Sequence, residues 1–230
     1  MPMEDVACEK SDYNGVLPLV APNILDHVWP SIPQAVGRLA GPPSAPDEPG
    51  DCRTNGTLVA DAYLVHVTSL MAKIALVLGR NTESKPYSCK AQRLRGLFQD
   101  KYIALSGLIV GDSQSTYSLD IVFEILSTHR QLDSTTRQLD ARVLMVKFRV
   151  APGFAGTPLI LRALTDADNL FLAHRMSLEH QCPSWLYPIT MDATTVWKRW
   201  DSMIRNGSIN PGEMAFSQSL SPWLRGQLAP

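Results

Sequence analysis

The sequence predicts an all-α protein, because of where its prolines and glycines fall and how its apolar residues are spaced. After residue 56, apolar residues recur every three or four positions along successive segments, and short segments rich in proline and glycine separate them. Strand-like runs are confined to Leu108–Val110 and to the stretch from Val146 to Val150, and both are short. We therefore expect successive helical hairpins, with helices at about 58–78, 86–101, 113–127, 130–148, 157–165, 168–180, 194–203 and 213–226.

The first 56 residues have a different composition and are predicted to be loop or extended chain. Prolines recur throughout this stretch, and a proline inside a helix removes a backbone donor and clashes with the preceding turn. The prolines are Pro18, Pro22, Pro30, Pro33, Pro42, Pro43, Pro46 and Pro49. The chain is thus divided into a proline-rich segment, 1–56, and a helical part, 57–230.

The first predicted helix has clear end signals. Thr57 is a candidate N-cap and Gly79 a candidate C′ residue. The apolar residues between them cover most of the helix circumference, so we expect this helix to pack against neighbours on more than one side. His66 within it is interpreted as a core imidazole. An apolar helix that lacks some of its neighbours would expose surface and favour self-association.

Composition and charge exclude several classes of function. The chain has 230 residues and a formal net charge of -1, which gives no electrostatic reason to expect nucleic acid or a membrane as partner. We find no window of about twenty apolar residues and no N-terminal signal region, so a cytoplasmic location is the default expectation. Four scattered cysteines favour reduced thiols, and no residue spacing indicates a metal or cofactor site.

Four motifs between Gly153 and Gly212 resemble those of the inverting α-L-rhamnosidases. They read GFAGTP, CPSWLYPIT, ATTVWKRWDSM and GSINPGEM. Segments that precede them also resemble that family and occur in the family's order, among them APNILD, PDEPG, RTNGTLVADAYLVH and SGLIVGDSQSTYSL. The resemblance implies an incomplete (α/α)6 six-hairpin glycosidase barrel. It also implies a ligand, an α-L-rhamnoside, whose terminal rhamnose the family hydrolyses, and no cofactor.

Candidate sugar-binding residues lie in and before these motifs. Aromatic faces stack on the apolar face of a deoxy sugar, and their polar atoms bond its hydroxyls. The aromatic candidates are Trp185, Tyr187, Trp197 and Trp200, and the alternative is that they anchor helix hairpins. Asp112 and Gln114 in GDSQS are polar candidates, but we favour a helix-capping role for them. Gly153 and Gly156 are interpreted as backbone-turn residues.

The catalytic groups that the resemblance implies are missing. An inverting glycosidase needs a carboxylic acid and a carboxylate base roughly 6.5–9.5 Å apart. The family's acid-bearing DxxxxDERLGWxGD-type motif does not occur in this chain, and its general-base glutamate in ATTxWERW is replaced by Lys198. An ammonium group with a pKa of about 10.4 accepts no proton at neutral pH. The family's SFNHYA histidine is also absent, since AFSQSL follows Met214.

Three functions remain open at this point. The first is an α-L-rhamnosidase-like protein with little or no hydrolytic activity. The second is a carbohydrate- or protein-binding remnant that uses the old sugar cleft or the exposed barrel edge. The third is a non-functional fragment of the barrel.

Overall fold

The computed structural model describes residues 54–104, 107–153 and 155–194, together with residues 197 and 200. Seven helices lie in this part of the chain: α1 Gly56–Val77, α2 Asn81–Tyr102, α3 Gln114–Val122, α4 His129–Met145, α5 Thr157–Asp166, α6 Leu170–Ser177 and the short α7 Tyr187–Thr190. The predicted helices at 194–203 and 213–226, and almost all of the predicted proline-rich segment, extend outside these residues.

The first six helices form three consecutive hairpins, which confirms the all-α fold class. α2 packs back along α1, α4 packs on α3, and α6 packs on α5. α3 lies between α1 and α5, so the first helix of each hairpin contacts its counterpart in the next. Consecutive helical hairpins in contact with one another are the building units of a hairpin barrel.

The first helices of the three hairpins begin at the same end of the molecule. The Thr54 and Ser113 hydroxyls, which precede α1 and α3, are 2.7 Å apart. Tyr63 in α1 donates a 2.7 Å hydrogen bond to the carbonyl of Ala155, just before α5. α1, α3 and α5 therefore run in parallel from this end, which we call the site end.

α1 begins at a different cap from the predicted one and ends as predicted. Its N-cap is Asn55, whose side chain accepts from the Thr57 amide, so Thr57 is not the cap. Gly79 has a φ of 72°, and its amide bonds the Leu76 carbonyl while the Arg80 amide bonds Ala75. This is the reverse turn with a left-handed C′ residue that ends many helices.

α2 starts five residues before the predicted helix at 86–101, so the predicted start is wrong and Pro86 lies inside the helix. Proline costs an interior hydrogen bond, but tertiary contacts fix the start of this helix. The buried Ser84 hydroxyl donates to the Ala72 carbonyl of α1 at 2.9 Å. Arg80 accepts the amides of both Glu83 and Ser84, so the turn after Gly79 leads directly into helix.

Left-handed residues end two helices earlier than predicted. Glu124, with φ of 54°, follows the end of α3, and Lys147 and Phe148, with φ of 56° and 63°, follow α4. The predicted strand near Val146 is therefore a helix end. The other predicted strand is reduced to one isolated antiparallel bridge between Ile103 and Ile109.

The core is centred on α3, whose nine residues are all buried. Its Leu119 is fully buried, and Phe98 of α2, Leu139 of α4 and Leu164 of α5 are fully buried around the same cluster. α3 is thus enclosed by α1, α4 and α5.

α1 differs between its two halves. Leu58, Ala62 and Val65 are fully buried, whereas the large apolar residues from Val67 onward are 40–86% exposed and only the small Ala72 and Ala75 are buried there. By length and mean hydropathy, 1.3 over its most apolar window, α1 would also be able to cross a bilayer, so the expectation that no such window exists is wrong. The buried N-terminal half shows that packing within the protein accounts for part of this apolar character.

One cysteine differs from the expectation of unpaired thiols. Cys89 in α2 is disulfide-bonded, whereas the Cys182 sulfur lies 3.6 Å from the Trp200 carbonyl oxygen. Scattered sequence positions did not indicate the bond, because pairing depends on which cysteines the fold brings together.

Candidate sugar-binding site

An aromatic segment from Pro183 to Trp200 lies at the site end of the hairpins. The Val150 amide donates to the Pro183 carbonyl at 2.9 Å, which ties this segment to the connection between α4 and α5. The fully buried Ser184 hydroxyl accepts from the Tyr187 amide at 3.1 Å and so starts the short helix α7. The local fold thus holds the aromatic residues beside the beginnings of α3 and α5.

The four aromatic candidates form two edge-to-face pairs. The Trp185 and Trp200 ring centroids are 5.9 Å apart at an interplanar angle of 81°. Those of Tyr187 and Trp197 are 6.2 Å apart at 82°. Both arrangements match the geometry that the aromatic quadrupole favours. Tyr187 is buried, and the three tryptophans are only half-buried, so part of each indole surface is accessible.

Gln114 connects α3 to the same region. Its side-chain carbonyl accepts the Ala151 amide at 2.9 Å, and its amide nitrogen lies 3.3 Å from the Arg149 carbonyl. It is buried, with only 2% of its surface exposed. The predicted capping role is wrong for this residue, because Ser113 is the N-cap of α3 and accepts from the Thr116 amide. Gln114 instead fixes the backbone of residues 149–151, which we call the strip. Val150 in this strip donates the hydrogen bond to the Pro183 carbonyl.

Asp112 is engaged by protein groups and does not cap α3 either. It accepts from the Tyr117 hydroxyl at 2.8 Å and forms an ion pair with Arg142 of α4. Burial, followed by the hydrogen bond to Asp112, raises the pKa of Tyr117, so the phenol stays a donor. These contacts join the beginning of α3 to α4.

Gly156 shows why this end of the molecule requires a small residue. A Cβ added there would approach the Pro152 Cβ to 2.9 Å and the Ser115 Oγ to 3.0 Å. Its amide bonds the Gly153 carbonyl in the turn before α5. The interpretation of Gly156 as a backbone residue is confirmed, and its role is close approach of the turn to α3.

Two buried carboxyl groups were missed by the sequence reasoning. Asp61 of α1 is fully buried and lies 2.6 Å from the Tyr102 hydroxyl, which donates to it, and 3.6 Å from the Lys101 ammonium. Asp120 of α3 is fully buried, its oxygens have no hydrogen-bond partner among the described residues, and burial raises its pKa well above the usual value. The sequence did contain a signal for their burial, since Asp61 and Asp120 are each an acidic residue within a run of apolar residues.

His66 of α1 packs against an aromatic ring of the core. His66 is half-buried and stacks on Phe123 with centroids 4.1 Å apart. Burial, then the charges of Lys73 and Arg162, lowers the pKa of His66, which fits the predicted packed imidazole. Within residues 54–194 as described, no three histidine, cysteine or acidic side chains are grouped to hold a metal ion.

Lys198, at the predicted general-base position, lies outside the described residues, as do the positions of AFSQSL. The structure therefore brings together Trp185, Tyr187, Trp197 and Trp200 at one end. Gln114 holds the strip that is hydrogen-bonded to this segment. A shallow groove of about 230 Å³ between α1 and α2, lined by Lys73 and Arg95 among others, is separate from the aromatic segment.

Consecutive helical hairpins with an aromatic segment at one end are the architecture of part of a helical-hairpin barrel. The family model for the bacterial alpha-L-rhamnosidase six-hairpin glycosidase domain matches residues 39–227. The chain belongs to this family.

Sequence relatives and solved structures agree with that assignment. An α-L-rhamnosidase of Streptomyces avermitilis is 33% identical over 75% of this chain, and one of Formosa agariphila is 29% identical over 70%. The crystal structure of an α-L-rhamnosidase from Aspergillus terreus superimposes with a TM-score of 0.71 at 35% identity, over 75% of this chain and 20% of that one.

A further structural neighbour is the Streptomyces avermitilis α-L-rhamnosidase in complex with L-rhamnose. Its TM-score is 0.64 at 33% identity, over 68% of this chain and 15% of that chain. The present chain spans 17% of the length of each of the two curated relatives. The family is therefore shown for a part of the barrel only.

Proposed function

We propose that the chain recognises α-L-rhamnosides through the aromatic segment and does not hydrolyse them. The absence of hydrolysis is proposed because of Lys198 in the motif ATTVWKRW. It stands at the position where the resemblance to the family implies a glutamate base. A cationic ammonium has no lone pair with which to accept the proton of the attacking water, so the step that activates water has no base.

Three carboxyl groups, those of Asp112, Asp61 and Asp120, are engaged by other side chains or buried in the core. Asp112 is held by Tyr117 and Arg142, and Asp61 by Tyr102 and Lys101. Asp120 is sealed inside the core. Inverting hydrolysis needs one carboxyl on each side of the glycosidic bond with access to substrate and water. Asp61 and Asp120 are fully buried, and Asp112, whose side chain is 52% exposed, is held by Tyr117 and Arg142.

The aromatic residues support sugar recognition. Half-buried Trp185, Trp197 and Trp200 combine an accessible indole surface with a fixed orientation, because each is packed edge-on against another ring. A ring that is already ordered loses little side-chain entropy when a sugar stacks on it. The structural neighbour that was crystallised with L-rhamnose is consistent with this ligand class.

Calorimetric titration with L-rhamnose tests the proposal. We expect weak binding by the wild-type chain, and a dissociation constant raised at least about tenfold, equivalent to ~1.4 kcal/mol, in Trp185→Ala and in Trp197→Ala. Tyr87→Ala, which truncates an exposed aromatic residue on α2, is the matched control and should bind like wild type. Equal affinity in all four proteins, or no binding by the wild type, would disprove recognition through this segment.

A further inference from the structure

Cys89 of α2 forms a disulfide, and the positions of the other cysteines identify its partner. The other cysteines of the chain are Cys8, Cys52 and Cys182. A disulfide requires the two Cα atoms to lie within roughly 7 Å of each other. The distance from Cys89 to each of the three therefore decides which of them pairs with it.

The two helices of the first hairpin run antiparallel, which fixes the level of each residue of α2 beside α1. Near the turn between the helices, the Ser84 hydroxyl donates to the Ala72 carbonyl at 2.9 Å. Near the site end, the Tyr102 hydroxyl donates to Asp61 at 2.6 Å. Cys89 falls between these two contacts in the sequence of α2, nearer to the first.

Cys89 lies far from the site end. Its neighbour Ser88 lines the groove between α1 and α2 together with Ser69, so Cys89 is level with Ser69. Ser69 comes roughly three and a half turns after Gly56, where α1 begins at the site end. At a rise of about 1.5 Å per residue, this part of α1 is ~20 Å long, and Cys89 lies that far from the site end.

Cys182 is too far away to pair with Cys89. It precedes Pro183, whose carbonyl accepts the Val150 amide at 2.9 Å. Val150 lies in the strip that Gln114 holds at the beginning of α3, so Cys182 is at the site end. Consecutive Cα atoms are only about 3.8 Å apart, which leaves most of the ~20 Å between Cys182 and Cys89.

Cys52 is excluded by the length of chain that connects it to the site end. It comes two residues before Thr54, whose hydroxyl lies 2.7 Å from that of Ser113 at the site end. Two residues span at most ~7 Å, so Cys52 stops roughly 13 Å short of Cys89. This gap is about twice the separation that a disulfide allows.

We propose that Cys89 is paired with Cys8, so that a covalent bond ties the start of the chain to the first half of α2. The connection between them is long enough. Roughly 45 residues lie between Cys8 and Thr54, and an extended chain of that length spans several times the ~20 Å from the site end to Cys89.

The bond forms when the two thiols lose two protons and two electrons. A small disulfide such as oxidised glutathione takes both by exchange and leaves as two thiols. Cys89 is only half-buried, so small thiols and disulfides reach it in the folded chain. The bond persists in an oxidising compartment and is opened in a reducing one, so attachment of the first residues to α2 depends on the surroundings.

Peptide mapping of the full chain after equilibration with oxidised glutathione tests the pairing. Thiols are alkylated, and the chain is cleaved by trypsin without reduction. The cysteines then fall in four different peptides, which are 1–10, 39–53, 81–90 and 176–198. We expect 81–90 to be linked to 1–10, and dithiothreitol to release both. Alkylated 81–90, or a link from it to 39–53, to 176–198 or to a second copy of itself, would overturn the proposal.

Two serine variants give a matched comparison. Cys8→Ser should change the Cys89 thiol from protected to almost completely alkylated, whereas Cys52→Ser should leave it linked to Cys8. Protection of Cys89 that survives Cys8→Ser, or is lost in Cys52→Ser, would contradict the pairing. The mapping of wild type needs no variant, so it decides the question even where a variant does not fold. Sugar titration reports separately on the proposed function, because the aromatic segment lies at the site end.

Discussion

α3 and the aromatic segment are stabilised in different ways. All nine residues of α3 are buried, and neighbours from three helices surround it. The segment from Pro183 to Trp200 has a four-residue helix, half-buried tryptophans and a few hydrogen bonds to the connection before α5. The framework thus depends on burial of apolar surface, whereas the site depends on a small number of specific contacts. Substitutions in the first should change stability, and substitutions in the second should change ligand binding.

The largest effect is expected from truncating the central helix. Leu119→Ala should lower the free energy of unfolding by about 2–5 kcal/mol, because it removes a fully buried side chain and leaves a cavity. Leu144→Ala, at a mostly exposed position of α4, is the control and should change it by less than about 0.5 kcal/mol. Chemical denaturation measures both, and similar losses in the two variants would show that α3 is not the centre of the core.

Gln114 sharpens the comparison, because it belongs to α3 and supports the site. Gln114→Ala removes the hydrogen bonds to the Arg149 carbonyl and the Ala151 amide and leaves these partly buried backbone groups unpaired, which should cost about 1–3 kcal/mol. It should also weaken rhamnose binding, since the strip it holds is bonded to Pro183. Ser113→Ala, one residue earlier, should cost about 1 kcal/mol as a lost cap without that weakening. If Gln114→Ala leaves rhamnose binding unchanged, the backbone of residues 149–151 does not support the sugar-binding site.

Asp120 predicts how stability varies with pH. Burial raises its pKa in the folded chain, whereas an unfolded aspartate titrates near about 3.9. Between these values the folded chain holds one proton more than the unfolded chain. Stability is therefore fully present below the unfolded pKa and declines as pH rises towards the folded pKa, at up to ~1.4 kcal/mol per pH unit.

The isosteric variant Asp120→Asn removes this titration. The difference in unfolding free energy between Asp120→Asn and wild type should grow in favour of the variant as pH rises from about 4. Taking the difference cancels His66, whose lowered pKa gives a slope of the opposite sign. A difference that is constant with pH would mean that Asp120 is not held as the neutral acid.

The hairpin framework was predictable from the sequence because its signals are local. α1 ends before Gly79, where a left-handed residue was expected. The apolar spacing also predicted the existence and approximate position of the first six described helices, although several of their ends differ. The start of α2 at Asn81 was missed because a hydroxyl contact from Ser84 determines it. The ends of α3 at Val122 and of α4 at Met145 were missed because left-handed non-glycine residues determine them.

The site was predictable only in part, for the same physical reason. Motifs pointed to the four aromatic residues, which do come together in pairs. The partners of Asp112 and Gln114 were not foreseen, because Arg142 and Ala151 are 30 and 37 residues away from them in sequence. Ser113, rather than either neighbour, became the cap because its short hydroxyl reaches the Thr116 amide.

The most direct test of recognition without hydrolysis is the rate at which the full chain releases the aryl group of an aryl α-L-rhamnoside. An activated leaving group weakens the need for the missing acid, so Lys198→Glu compared with Lys198→Gln isolates the base, whose assistance is typically worth about 10²–10⁴-fold. We predict that wild type, Lys198→Glu and Lys198→Gln all release product at the rate of buffer alone, because the acid motif and the histidine of the family's SFNHYA are absent as well. Turnover by the wild-type chain well above buffer would contradict the proposed function, and turnover in Lys198→Glu alone would reduce the defect to that one residue.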